Sequence, residues 1–225
     1  MLDFLFLSVL ILRRFLIVCL LTIAGLELSG QDVHLKKQDL RQGDLIFCGA
    51  TATPLSQAID QSTQTSNQTH FDHVGIVEIS GDTSWIIHAA PKKGVCRETL
   101  SSFVNGDSNY SELVVYRLRN ITAQRLTLAL SEARNHLGAP YKYSYRLRDP
   151  GFYCSEFIYF IFKSDSIFLL KPMSFKDSAT GSFLQTWVLH YQKLGIDIPE
   201  GELGCNPNGL ANSSNLDRIG ILNFR

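Results

Sequence analysis

The chain has 225 residues, of which 45% are hydrophobic and 19% are charged. This is the composition of an ordinary globular protein, and the length suits one domain of good size. Its 21 basic and 21 acidic residues cancel to a formal net charge of zero, so neither nucleic acid nor an anionic surface is favoured as a partner.

Residues 1–30 differ in kind from the rest. Two apolar runs are separated by Arg13-Arg14, and small and polar residues precede Gln31. This is the layout of a secretory signal, and neither run alone is long enough to span a bilayer. We expect residues 1–30 to be a cleaved signal peptide or a retained anchor, which would be the chain's only contact with a membrane. The protein is then exported, to the periplasm or the extracellular space.

The predicted elements follow in chain order. Apolar alternation and turn residues predict strands at 43–48, 73–79, 85–90, 94–97 and 113–118. Helical spacing predicts helices at 122–137, from residue 154 onward, and at 183–194. Strands followed by helices indicate an α+β domain. We expect one domain over 31–225, with its core at 42–163, a C-terminal helix and wrap at 164–225, and an irregular stretch at 198–214.

Five cysteines are present, and the first lies in the predicted signal. A disulfide between Cys48 and Cys96 is conceivable in an exported protein and would leave Cys154 free, but the sequence does not fix the connectivity. No two cysteines stand at the spacing of a structural zinc site, so we predict no metal and no cofactor.

Cys154 has the strongest local signal for chemistry. A turn sequence at 149–151 precedes it, and apolar residues follow at helical spacing, namely Phe157, Ile158, Ile161 and Phe162. Cys154 is therefore predicted in the first turn of a buried helix, where free N–H groups and the helix dipole lower the pKa of a thiol. The alternative is a small buried hydrophobic side chain without a chemical role.

Two histidines lie on the predicted hairpin. A two-residue turn at Ser80-Gly81 would place His73 directly opposite His88, and a turn at Gly81-Asp82 would place them diagonally on the same face. Either arrangement brings the two rings close together.

A Cys–His–His set can perform nucleophilic catalysis. His73 would take the proton of Cys154, and His88 would fix the tautomer of His73 through its other ring nitrogen. The alternatives are strand histidines without a role and a metal site of His70, His73 and His88, for which the sequence offers no obvious completing carboxylate.

Four motifs, in this order, resemble the NlpC-type cysteine peptidase superfamily. They are GDLIF at 43–47, HVGIV at 73–77, LGAPY at 137–141 and YCSEF at 153–157. Because the histidine strand precedes the cysteine helix, the chain resembles the circularly permuted, papain-like amidase branch. The similarity covers roughly residues 42–163, and residues 198–207 also resemble that branch.

The resemblance implies a papain-like α+β fold in which the cysteine helix packs on an antiparallel sheet. It also implies that Cys154 is the nucleophile, His73 the base and His88 the third polar residue. Tyr141 and Tyr153 are expected to line the oxyanion or substrate pocket, where the Tyr141 hydroxyl would help to hold the oxyanion.

The function implied is an exported cysteine hydrolase acting on a small peptide or acyl-amide, such as a cell-wall or N-acyl amino acid bond. Wall-cleaving relatives usually carry glycine two residues after the cysteine, whereas this chain has Glu156, which argues against peptidoglycan. Two alternatives stay open, a lipid acyltransferase or thioesterase of the same fold and a catalytically silent binding module.

Overall fold

The computed structural model describes residues 32–65, 69–106 and 110–223. The signal or anchor predicted at residues 1–30 lies outside this part of the chain. Among the residues described, no helix has both the length and the apolar character needed to cross a bilayer.

The described chain is a mixed α+β domain, which confirms the predicted fold class. Its strands are β1 His34–Leu35, β2 Leu45–Gly49, β3 Phe71–Ser80, β4 Thr83–Ala90, β5 Gly94–Thr99, β6 Leu113–Leu118, β7 Lys171–Pro172, β8 Leu203–Gly204 and β9 Leu216–Leu222. Its α-helices are α1 Pro54–Thr63, α2 Leu100–Asn105, α3 Ala123–Asn135, α4 Cys154–Ile161, α5 Gln185–Leu194 and α6 Pro207–Ala211. Short 3-10 helices occupy Lys37–Asp39 and Lys163–Asp165.

Seven strands form one sheet in the order β1-β9-β6-β2-β3-β4-β5, and all neighbours are antiparallel except β1 and β9. Successive residues of a strand point to opposite faces. Helix α4 packs on the face that carries Val74, Ile76, Ile87 and Ala89. The other face packs against Phe103 of α2 and carries Ile46, Cys48, Val77 and Ile86.

The β3–β4 hairpin decides where the histidines lie. Its turn is at Gly81-Asp82, because the register pairs run from Ser80–Thr83 to Ile76–Ile87. The diagonal arrangement is therefore the one observed, and the directly opposed one is not. The register pairs end at Ile76–Ile87, one residue before His88 on β4.

Gly75 allows β3 and β4 to approach closely beside the histidines. A Cβ atom at this position would lie 2.6 Å from Ile86 Cγ2 and 3.2 Å from the Cβ of His88. Any larger side chain would push β4 away from β3 and displace His88 from its neighbour.

Helix α4 is almost wholly buried and is fixed at its first turn. The Glu156 carboxylate accepts a bond from the Tyr153 N–H at 3.4 Å, and Lys142 Nζ lies 2.6 Å from its other oxygen. A carboxylate three residues into a helix satisfies a free N–H group and complements the dipole. The Glu156 side chain therefore points into a buried ion pair that anchors the helix.

The C-terminal part has more regular secondary structure than the sequence predicts. The stretch 198–214 contains β8 and α6 instead of being wholly irregular, and β9 follows it. Strand β9 pairs with β6 and so belongs to the main sheet.

Candidate active site

Cys154 is the first residue of α4 and is only 5% exposed. Its Sγ lies 3.8 Å from the carbonyl oxygen of Asp72 on β3. The backbone N–H groups of Cys154, Ser155 and Val74 act on the same sulfur and favour its thiolate. The sequence therefore located the thiol correctly, at a helix N-terminus that packs against the histidine strand.

The expected fall in the thiol pKa does not occur. Burial and the nearby Asp72 carboxylate raise the pKa of Cys154 to about 12, and they outweigh the three N–H groups. Asp72 itself is largely removed from water, and this burial raises its pKa to about 6. The resting form at neutral pH is thus a thiol, which needs a base in order to become a nucleophile.

His73 and His88 form the predicted pair. His73 Nε2 and His88 Nδ1 are 2.8 Å apart, and both rings are buried against Phe103. Burial lowers the pKa of His73 well below its usual value, and the neighbouring His88 lowers it further. Burial also lowers the pKa of His88. Both imidazoles are therefore neutral at pH 7, and a neutral imidazole can accept a proton.

The histidine pair is hydrogen bonded to a carboxylate that was not predicted from the sequence. His88 Nε2 lies 3.1 Å from Glu98 Oε1, and Lys93 Nζ lies 3.0 Å from both Glu98 oxygens. The bond to His88, together with Lys93, holds the pKa of Glu98 well below its usual range. The missed signal was the strand partnership of β4 and β5, in which His88 faces Cys96, two residues before Glu98.

Two adjoining cavities contain these groups. The cavity that we call the thiol cavity is lined by Cys154 and Tyr153, and the histidine cavity by His73, His88 and Glu98. Their common wall includes Asp72, Tyr141 and Tyr145. The structure therefore brings the thiol and the histidines to the two sides of one wall.

The thiol and the base are not hydrogen bonded to each other. Within the described residues, Cys154 Sγ makes no hydrogen bond to His73, whose Nε2 is engaged by His88. Nδ1 of His73 is the nitrogen that remains for the thiol. Cys154 Sγ instead contacts the backbone of Asp72 and Val74, the two residues that flank His73 on β3.

The predicted pocket tyrosines occupy different places. Tyr141 lines both cavities, and its pKa is raised by burial and by the neighbouring Tyr145 and Cys154. Tyr153 lines only the thiol cavity, and its hydroxyl accepts a bond from the Cys205 N–H at 3.2 Å. Tyr145 also lines both cavities, and its buried hydroxyl interacts with that of Tyr141.

Neither the Cys48–Cys96 disulfide nor the alternative metal set is formed by the described residues. Cys48, Cys96, Cys154 and Cys205 are all free, so the Cys48–Cys96 disulfide is not formed. The alternative metal set is not assembled either, because the described group with closely spaced ligand atoms includes neither His70 nor His73.

The one group of described side chains with metal-ligand geometry is a different set. It consists of His88, Cys96 and Glu98, whose ligand atoms all lie within 4.8 Å of one another.

Both the sequence and the fold are similar to those of known proteins. The profile described as "Permuted papain-like amidase enzyme, YaeF/YiiX, C92 family" matches residues 39–220. A solved structure titled as metalloprotein yiiX from Escherichia coli O157:H7 is similar, with a TM-score of 0.65 and 19% identity over 80% of this chain and 96% of that one. At that identity the likeness concerns the fold. No curated protein is a significant match to the sequence.

Proposed function

Because the chain belongs to the permuted papain-like amidase family and is thus a cysteine hydrolase, we propose that it cleaves an amide or peptide bond through an acyl-enzyme on Cys154. One observation carries the proposal. A buried chain of hydrogen bonds runs from His73 through His88 to Glu98, one cavity wall away from a thiol at a helix N-terminus. A base, an orienting group and a counter-charge are what such a nucleophile requires.

In the first step, the proton of the Cys154 thiol moves to His73 Nδ1 while Sγ bonds to the substrate carbonyl carbon. The carbonyl π electrons move to oxygen, and the N–H of Cys154 and the Tyr141 hydroxyl are suitable donors to that oxyanion. Collapse of the intermediate expels the amine, which takes the proton from His73.

In the second step, water gives a proton to His73 and adds to the thioester carbonyl. Collapse then releases the acid, and Cys154 recovers its proton from His73. Both steps require Cys154 Sγ and His73 Nδ1 to come within hydrogen-bond distance, and catalytic hydrogen bonds commonly tighten when substrate binds.

Two hydrogen bonds in series would stabilise the His73 imidazolium that forms in each step. Its Nε2–H would donate to His88 Nδ1, and the Nε2–H of His88 would donate to Glu98. A neutral His88 alone stabilises a positive charge weakly, whereas a carboxylate behind it supplies the missing negative charge. Glu98 is thus the counter-charge of the His73–His88 pair.

The lining of the thiol cavity favours an apolar group on the acyl side of the scissile bond. Ile59, Met173, Phe175 and Trp187 all contribute to it. The same lining supports the second candidate, an acyltransferase or thioesterase on lipid-linked acyl groups. Glu156 lines neither cavity, so its charge gives no ground against a cell-wall peptide. Export through residues 1–30 remains part of the proposal.

A matched panel of acyl-amides, dipeptides and thioesters tests the proposal. We expect wild-type protein to hydrolyse amides, with each rate compared with its uncatalysed value, and Cys154→Ala to lose this activity by at least about a thousandfold. Cys48→Ser, which changes another buried thiol, should retain it. Turnover of thioesters alone would favour the second candidate, and no turnover of any member would favour a silent binding module.

A further inference from the structure

His88, Cys96 and Glu98 project from one face of the β4–β5 pair. His88 and Cys96 are direct cross-strand partners, and Glu98 follows Cys96 by two residues on the same side. His88 Nε2 lies 3.3 Å from Cys96 Sγ and 3.1 Å from Glu98 Oε1, and the sulfur lies 3.5 Å from the same oxygen.

These separations match the edges of a zinc coordination tetrahedron. Zinc binds imidazole nitrogen, thiolate sulfur and carboxylate oxygen at about 2.0–2.3 Å, which places ligand atoms roughly 3.3–3.6 Å apart. An ion would therefore fit after shifts of a few tenths of an ångström. His88 and Glu98 also line the histidine cavity, which leaves the fourth position open to water.

We propose that His88, Cys96 and Glu98 form a zinc site that switches the cysteine centre off. On binding, the Cys96 thiol gives its proton to solvent and its sulfur bonds to the metal. Glu98 binds through Oε1, and its other oxygen stays with Lys93, whose Nζ is 3.0 Å away. A borderline ion that accepts nitrogen, sulfur and oxygen is the class that this donor set selects.

The switch follows from the direction of the hydrogen bonds, and this part rests on the proposed function. In the catalytic direction, His88 Nδ1 accepts a hydrogen bond from the His73 Nε2–H, and His88 Nε2–H donates to Glu98. A metal occupies the lone pair of Nε2, so the His88 proton must lie on Nδ1, where it donates to His73. His73 Nε2 then has to accept, and the imidazolium that the reaction needs cannot form.

Zinc binding to chelator-treated, full-length protein tests the site directly. Competition with a fluorescent chelator should give one zinc ion per chain. Cys154→Ala should bind as tightly as wild type, whereas Cys96→Ala and Cys96→Ser should each lose on the order of 100-fold in affinity. Cobalt bound to Cys154→Ala should show a thiolate charge-transfer band, which does not depend on how the Cys96 variants fold. Unchanged affinity in both Cys96 variants, or loss of binding in Cys154→Ala, would overturn the site.

The rate measurement tests the coupling. Amide hydrolysis by wild-type protein should fall in proportion to zinc occupancy and return on chelation, while Cys96→Ala at the same zinc concentration keeps its own metal-free rate. If zinc binds at Cys96 and the rate is unaffected, the switch is wrong and the site stands. If no amide is hydrolysed even without metal, the proposed function fails, and the binding measurement still decides the site.

Discussion

Glu98→Gln isolates the charge at the end of the hydrogen-bond chain. Glutamine keeps the length of the side chain and an oxygen that can accept from His88, but it removes the carboxylate charge. The His88 ring is buried and the bond is 3.1 Å long, so it is a charge-assisted bond of about 1.5–3 kcal/mol. If the imidazolium forms only in the transition state, losing the energy of this charge-assisted bond lowers kcat/KM roughly 10- to 150-fold.

The assay is the pH profile of kcat/KM in chelator-treated protein, on the best amide of the panel. Glu98 raises the pKa of His73 in opposition to burial, so its loss should lower that pKa and move the acid limb to lower pH. A merely structural role would not move this limb. Glu132→Gln, a half-exposed carboxylate on α3, is the control and should change kcat/KM less than about twofold. If Glu98→Gln also changes kcat/KM less than about twofold and leaves the acid limb unmoved, the reasoning is refuted.

Two further predictions concern the surroundings of the site, and a third concerns the N-terminal segment. Lys142→Ala leaves the Glu156 carboxylate buried without its partner, so the free energy of unfolding should fall by about 3–5 kcal/mol in denaturant titrations. Burial raises the pKa of Glu156, so the carboxylate is neutralised as pH falls through that raised value, and the destabilisation by Lys142→Ala should shrink. A decrease in the free energy of unfolding below about 1 kcal/mol at pH 7 would contradict this prediction. Asp72→Asn removes a charge that raises the pKa of Cys154, so alkylation of this thiol by iodoacetamide should reach half-maximal rate at lower pH, and an unmoved midpoint would count against the role of Asp72. The mature chain should begin near Gln31 on N-terminal sequencing of exported material, and an intact N terminus in a carbonate-resistant pellet would exclude cleavage.

The sequence was informative where local patterns decide the structure. Cys154 was predicted at a helix N-terminus because a turn and helical apolar spacing flank it, and α4 begins at that residue. The proximity of His73 and His88 followed from strand alternation. Which of two turns joins their strands did not, because Ser80-Gly81 and Gly81-Asp82 both suit a tight hairpin.

The features that the sequence did not predict depend on contacts between residues far apart in the chain. Glu98 joins the site only because β5 pairs with β4, and the predicted strand ended one residue before it. Strand β9 was missed because its partner, β6, lies about a hundred residues earlier in the chain. The thiol pKa was misjudged for a similar reason: the burial and the Asp72 charge that raise it come from tertiary packing, which helix position does not reveal.

The most direct test of the central claim is to trap the acyl-enzyme. Chelator-treated protein is mixed with an activated acyl donor, quenched in acid within one turnover, and analysed by intact mass and peptide mapping. We predict one acyl group per chain on Cys154, formed much more slowly in His73→Ala and absent in Cys154→Ala. An acyl group on Cys48, Cys96 or Cys205, or an unmodified chain, would contradict the assignment of Cys154 as the nucleophile.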